Sequence, residues 1–398
     1  MRTVSVNSRF NQEMQAFPRP ETAQRIKMRV HPAIRHAVSI FCLLLVAAAG
    51  VAFGAVPPKS KPKPASRTRH SRGLQSWGDP TKGDVVGFDD PVIRQSAVEA
   101  LGHANGSVVA IDPATGRILT VVNQKMAFGA GFEPCSTIKP VIALAGLQQG
   151  TITRDTMIKV GRRRYMGLTE AMAHSNNKYF EEVGSNLGFD TVLRYARMVG
   201  LGERAGFDIP EEKPGQLPSH PSVWGGVARM SSFGQGIRMT PLQLASLVGM
   251  LANNGTQYYL QYPRSAEQLQ NFAPRVRQQL DIAALLPDLQ EGMLAAVLYG
   301  TARQSYEADE QALGKTGTCN DESQGGRLGW FVSYADQAHP KIVLVVLLRG
   351  GSRVVSGPHA AEIAGRIYNG LRARNYFATD AAARRTQYTA ATSTGSSH

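Results

Sequence analysis

Acidic side chains are scarce in this chain of 398 residues: 30 Asp and Glu stand against 44 Lys and Arg, for a formal charge of +14. An excess of that size raises the question of a nucleic-acid partner, and its location answers it. Residues 1–80 hold 13 of the basic and 3 of the acidic side chains, so +10 of the charge lies there and +4 is spread over the remainder. The basic character belongs to a tail and a tether rather than to a folded face. No nucleic-acid partner is expected, and anionic lipid or an acidic polymer is the better match. Cysteine is scarcer still: Cys42, Cys135 and Cys319 are the three present, which leaves room for one disulfide. Internal repeats are absent, which excludes a repeat array. Charge itself is missing from residues 37–56, an uncharged run of 20 residues, about 30 Å long as a helix and enough to cross a bilayer.

That run reads as a transmembrane anchor or a signal segment. Ala52-Phe53-Gly54 has the small-x-small form of a cleavage site, but the 36 residues before the run are long for a signal n-region and favour an uncleaved anchor. Seven Lys/Arg precede the run and six follow it within residues 57–72, so charge does not set its orientation. The expected organisation is a basic tail (1–36), the apolar run (37–56), an extended Pro/Lys-rich linker (57–89), a folded domain (90–377) and a disordered tail rich in Ala, Thr and Ser (378–398).

Within the domain, apolar spacing predicts a helix over 90–101, then strands at 107–112 and 117–122 joined by the turn Pro113-Ala114-Thr115-Gly116. Helices follow at 136–147, closed by Gly150, and at 177–187, 191–199, 241–253 and 281–297. Strands are expected at 313–318, 330–334 and 342–348, with a last helix at 358–371. Strands at both ends with helices between imply an α/β chain of the α+β type. Its antiparallel sheet is assembled from distant pieces, flanked by helices, with an inserted all-helical lobe.

The stretch Glu133-Pro134-Cys135-Ser136-Thr137-Ile138-Lys139-Pro140 sets a serine and a lysine three residues apart after a proline. On a helix these share a face. A helix starting near Ser136 would put the hydroxyl where free N–H groups favour an oxyanion, with Lys139 one turn on to take the proton. That is an activated nucleophile without histidine. Ser-x-x-Lys alone is weak, since about one or two arise by chance in such a chain, and Ser60…Lys63 and Ser175…Lys178 are two further matches. Its company is more specific. Ser175-Asn176-Asn177 follows, a Ser-x-Asn, and then Lys315-Thr316-Gly317-Thr318.

In this order the three motifs are those of penicillin-binding proteins and class A β-lactamases, and from about Gly106 to Gly370 the chain resembles a penicillin-binding transpeptidase domain. Gly106–Asp112 with Gly116–Leu119 resembles the family's first hairpin. Ser232-Phe233-Gly234-Gln235-Gly236, Thr240-Pro241-Leu242-Gln243 and Ala252-Asn253-Asn254-Gly255 resemble its signature before the third motif. Gly329-Trp330-Phe331-Val332-Ser333-Tyr334 resembles the strand after it. The resemblance implies a β-lactamase/transpeptidase-like fold and a peptidoglycan D,D-transpeptidase. Such an enzyme is acylated by stem peptides ending in D-Ala-D-Ala and by β-lactams, and cross-links the wall without a cofactor or metal. It implies Ser136 as nucleophile, Lys139 as base once burial and the Lys315 charge make it neutral, and Ser175 as proton relay. Asn177 would hold the substrate amide, Lys315 and Thr316 its terminal carboxylate, and the N–H groups of Ser136 and Thr318 the oxyanion, with Gly317 permitting close approach. It also implies a single-pass protein of the bacterial plasma membrane with the tail cytoplasmic, the domain extracytoplasmic or periplasmic, and cell-wall synthesis proteins as partners. The space before Gly106 is short for the glycosyltransferase or pedestal module of many members.

Since both motifs serve one substrate in that family, the resemblance also implies that Cys135 and Cys319, which flank them, form a disulfide. A bridge in class A carbapenem-hydrolysing β-lactamases has the same placement; failing a bridge, the pair would be two buried free thiols. Competing roles stay open for several residues. Ser136 could be an N-cap, Ser175 and Asn177 helix caps, and His174 a surface histidine. Trp330 and Phe331 read as core. A serine β-lactamase needs a carboxylate to activate water, for which Glu212, with Gln216 after it, is the candidate. A D,D-carboxypeptidase, a β-lactam sensor and a non-catalytic scaffold complete the set of rival functions.

Overall fold

The computed structural model describes residues 75–307, 312–322, 325–335 and 341–377. The expected anchor, the basic tail, most of the linker and the C-terminal tail lie outside the described residues. Among the described residues, no helix is long and apolar enough to cross a membrane.

Five strands make the main sheet: β1 (Gly106–Ile111), β2 (Ile118–Val122), β3 (Leu313–Asn320), β4 (Arg327–Ala335) and β5 (Ile342–Gly350). They lie in the order β2-β1-β5-β4-β3, antiparallel throughout. Sequence-distant pieces therefore meet at its centre, where Val109 faces Val345. Both faces of the sheet are covered, which is why Ile342 to Leu348 is a continuous apolar run rather than an alternating one. Val109 and Ile111 of β1 point into the core beneath the helical lobe, and Val108 and Ala110 into a second core. That second core is closed by α1 (Pro91–Leu101) and α9 (Gly357–Ala373). Helix α1 starts where expected because Oδ1 of Asp90 accepts from the N–H groups of Val92 and Ile93, with Pro91 at the first position.

Between β2 and β3 run α2 (Lys139–Gln148), α3 (Leu168–Ala173), α4 (Asn177–Leu187), α5 (Phe189–Met198), α6 (Gly226–Phe233), α7 (Pro241–Ala252) and α8 (Leu286–Leu298). Helix α7 carries a full capping box, Thr240 with Gln243, and is buried along almost its whole length. Helices α3 and α6 are absent from the sequence expectations: α3 has six residues, and α6 opens on Gly225 and Gly226, both at positive φ, so neither shows a start signal.

Two expectations need correction. The helix expected from Ser136 begins at Lys139, and Cys135–Ile138 is a 3₁₀ turn. Pro140 has no N–H to bond the Ser136 carbonyl and its ring would crowd that oxygen. The Ser136 carbonyl instead accepts from the N–H of Lys139, three residues on. The linker, expected to run to residue 89, is already folded onto the domain before that point. Asp84 accepts from Arg94 (2.8 Å) and from the N–H groups of Asn123 (3.0 Å) and Gln124 (2.8 Å).

Candidate active site

Three elements meet at one end of the sheet. Strand β3 is its outermost strand, and it packs against the Cys135–Ile138 turn. The link between α3 and α4 closes the third side. Close approach at β3 is set by Gly317: a Cβ there would stand 3.0 Å from the Pro134 carbonyl and 3.2 Å from Cys135 Cβ. The sulfurs of Cys135 and Cys319 are bonded, with their Cα atoms 5.5 Å apart, so the turn and the strand are joined covalently. Cys135 sits at φ 51°, a left-handed conformation unusual for a residue with a side chain.

Lys139 is the centre of the polar network. It is fully buried, and its Nζ lies 2.9 Å from Ser136 Oγ, 2.7 Å from the Ser175 carbonyl, 3.1 Å from Ser175 Oγ and 2.7 Å from Asn177 Oδ1. Burial first, and then the charge of Lys315, hold its ammonium well below the ordinary lysine value. A neutral amine has two N–H groups and one lone pair. The Ser175 carbonyl and the Asn177 side-chain oxygen can only accept, so they take the two N–H groups and leave the lone pair for a serine hydroxyl.

Ser175 links the two lysines. Its hydroxyl is 2.8 Å from Lys315 Nζ as well as 3.1 Å from Lys139 Nζ. Its backbone is left-handed, at φ 52°. Lys315 is fully buried, also donates to the Thr316 carbonyl (2.9 Å), and burial pushes its pKa down to about 7. The Thr316 hydroxyl bonds that of Thr301 (2.6 Å), and Thr318 Oγ1 accepts from the N–H of Gly357 (2.7 Å).

Several competing roles are now decided. The cap of α4 is Asn176, whose Oδ1 accepts from the N–H of Tyr179, so neither Ser175 nor Asn177 serves there. No side chain caps the 3₁₀ turn, and Ser136 Oγ instead faces Lys139 and the Ser232 carbonyl (3.4 Å). His174 is exposed and its Nε2 lies 3.3 Å from Glu170 Oε2. Trp330 and Phe331 are core, with the Trp330 indole donating to the Glu133 carbonyl (2.9 Å). Glu212 is fully buried and accepts from the N–H groups of Ala205 (3.0 Å) and Gly206 (2.7 Å), a structural clamp.

Sequence reading missed Thr301 and the far end of β3. There a cavity of about 270 Å³ is lined by Glu133, Arg229, Gln235, Thr318, Asn320 and Glu322 among others. Glu133 is 8% exposed, and burial, then the charges of Glu322 and Asp321, raise its pKa to about 7 against the weaker pull of Arg238 and Arg229. Its one visible sign in the sequence is an acidic residue three positions before the serine.

Comparison with known proteins agrees with this architecture. The peptidoglycan D,D-transpeptidase MrdA of Acinetobacter baumannii is 26% identical, over 75% of this chain and 56% of its own. The probable peptidoglycan D,D-transpeptidase PbpC of Pseudomonas aeruginosa is 27% identical, over 68% of this chain and 54% of its own. The chain thus spans about half the length of these curated relatives. Among solved structures, the transpeptidase domain of Burkholderia pseudomallei penicillin-binding protein 3 superposes with a TM-score of 0.62 at 20% identity, covering 74% of this chain and 98% of that one, a likeness of fold. The penicillin binding protein transpeptidase domain family matches residues 106–369, and the chain belongs to that family.

Proposed function

We propose that this protein is a peptidoglycan D,D-transpeptidase of serine type. The observation that carries the reading is the Ser136–Lys139–Ser175–Lys315 relay, with contacts of 2.9, 3.1 and 2.8 Å between successive polar atoms. Ser136 Oγ attacks the penultimate D-Ala carbonyl of a stem peptide while its proton passes to the Lys139 lone pair. The N–H groups of Ser136 and Thr318 hold the oxyanion. Lys315 and Thr316 bind the terminal carboxylate, and Asn177 the substrate amide. As the C–N bond breaks, Ser175 relays the proton to the leaving D-Ala nitrogen. An amine of a neighbouring stem peptide then attacks the ester, forms the cross-link and returns Ser136. A β-lactam enters the same first step. In this reading residues 37–56 anchor the chain in the bacterial plasma membrane with the domain extracytoplasmic, where the disulfide persists and cell-wall synthesis proteins are within reach.

The clamp role of Glu212 supports transfer over β-lactam hydrolysis, because the carboxylate proposed to activate water is occupied by two backbone amides. Incubation of the protein with a labelled penicillin tests the reading. A stable adduct on Ser136 is expected. Rapid turnover would assign a β-lactamase, and no adduct would remove the nucleophile assignment.

A further inference from the structure

Resting on the reading of residues 37–56 as an anchor, we propose that one end of the main sheet is a membrane-docking surface, where Trp77, Val85, Val86 and Val354 seat the domain on the interface of an anionic bilayer. These four side chains are 59%, 60%, 44% and 50% exposed, and they are among the few large apolar groups left in water among the described residues. Strand ends gather them. Trp77 pairs with Ala104 just before β1, Val85 is bonded to Gln124 just after β2, and Val354 follows β5. The register sets Gly106 opposite Leu348 and Val108 opposite Val122, so these three strand ends lie on one side of the domain. Trp77 and Val354 line one small recess there.

The backbone holds these side chains out. The N–H of Asn105 donates to the Ser76 carbonyl (2.9 Å) and that of Gly78 to the His103 carbonyl (2.7 Å), which fixes the chain on both sides of Trp77. Val85 is pinned likewise: its N–H donates to Gln124 Oε1 (3.1 Å) and its carbonyl accepts from Gln124 Nε2 (2.7 Å). Apolar groups fixed in water gain from transfer to a less polar phase, and tryptophan favours the headgroup level of a bilayer. Charge selects the lipid. Lys82, Lys125 and Arg353 are exposed close by in sequence, with Asp79 as the exposed acid of the Trp77 segment, and residues 57–78 hold six Lys/Arg and no Asp or Glu. Each such cation is attracted to an anionic surface within a Debye length, about 8 Å at physiological salt. Residues 57–74 number 18 and reach at most about 60 Å. Tethering over that distance makes docking an intramolecular step, so a weak surface affinity is enough. Arg327 of β4 pairs with both Asn320 and Gly350, so the docked domain keeps the Asn320 end of β3 nearest the bilayer and the Lys315 end away from it.

The test is tryptophan quenching in the full-length protein, reconstituted into vesicles of phosphatidylglycerol and phosphatidylethanolamine with plain or brominated acyl chains. Of the three tryptophans, Trp330 is fully buried and Trp224 is 80% exposed, so in Trp224→Phe the exposed indole is Trp77. Brominated chains are expected to dim its emission, and that loss to vanish in Trp77→Phe/Trp224→Phe. Lys82→Glu/Arg353→Glu, or phosphatidylcholine in place of phosphatidylglycerol, should shrink the loss. Equal emission in plain and brominated vesicles, from protein that floats with them, would overturn the docking surface and leave the anchor standing. Trp77 shielded from aqueous iodide but untouched by bromine would put a protein on the patch, and quenching of Trp224 instead would put a different face on the membrane; either overturns the proposal. Protein that does not float with the vesicles would overturn the anchor reading and the docking surface with it.

Discussion

The two ends of the cleft along β3 are both lined by buried charged residues, and they handle them in opposite ways. At the Lys315 end, Lys139 and Lys315 are fully buried and every acceptor around them is engaged: Ser136, Ser175, Asn177 and the Thr316 carbonyl. Burial and, for Lys139, the neighbouring Lys315 charge push both toward the neutral form, which is the form a base needs. At the Asn320 end, Glu133 is also largely buried, and among the described residues its carboxylate has no such hydrogen-bonded network. Among the described residues, one end is a closed hydrogen-bonded network and the other holds a carboxylate that lines a cavity. Completed networks suit bond making, where geometry must be fixed beforehand.

The largest effect that separates the ends belongs to Ser136→Ala. We expect complete loss of the covalent penicillin adduct with the fold retained, read by gel labelling and thermal melting, because only a hydroxyl outside the apolar core is removed. A persistent adduct would show that another nucleophile serves the site. Next is Lys139→Ala, expected to slow acylation by roughly 10²–10⁴-fold, the usual contribution of a positioned base. A near-normal rate in stopped-flow acylation would move the base role elsewhere in the network.

Much of the Lys315 end was legible in the sequence, because its three motifs are short, local and ordered. Strand β5 was legible too, since a sheet covered on both faces leaves an uninterrupted apolar run. What escaped had two kinds of cause, one local and one distant in sequence. The start of α2 moved three residues because Pro140 denies Ser136 an α-helical hydrogen bond, a local cause that was present and overlooked. Glu133, by contrast, meets residues nearly two hundred positions away: the Trp330 indole bonds its carbonyl, and Thr318 lines the same cavity. No period or motif could have assigned it a cavity.

The disulfide tests whether the two ends need a rigid connection. Cys135 and Cys319 are 184 positions apart, and chain-entropy arithmetic gives about 5 kcal/mol for a loop of that length, with about 2–4 typical. The double variant Cys135→Ala/Cys319→Ala should lose stability in that range by denaturant unfolding. Because Gly317 and the turn also touch directly, acylation should survive in the folded variant. A stability unchanged within about 0.5 kcal/mol, the scale of an ordinary surface substitution, would mean that the bridge adds nothing to that packing.

The smallest effect distinguishes the ends by the sign of their pH dependence. Glu133 has a folded pKa of about 7 against an ordinary 4.5. Between those values the folded state binds more protons than the unfolded one, so stability is full below pH 4.5, falls as pH rises to about 7, and is flat above. Lys315 has a folded pKa of about 7 against 10.5. Here the unfolded state binds more protons, so stability rises with pH across that higher window. Glu133→Gln should therefore flatten the curve below about pH 7 and raise stability at about pH 8 by about 1–3 kcal/mol, leaving the slope of the upper window in place. Lys315→Met should do the reverse, flattening only the upper window. Urea unfolding of both variants at half-unit pH steps reads the two slopes separately. If Glu133→Gln left the lower window unchanged, the carboxylate would already have a partner in the free protein, and the contrast between the two ends would be lost.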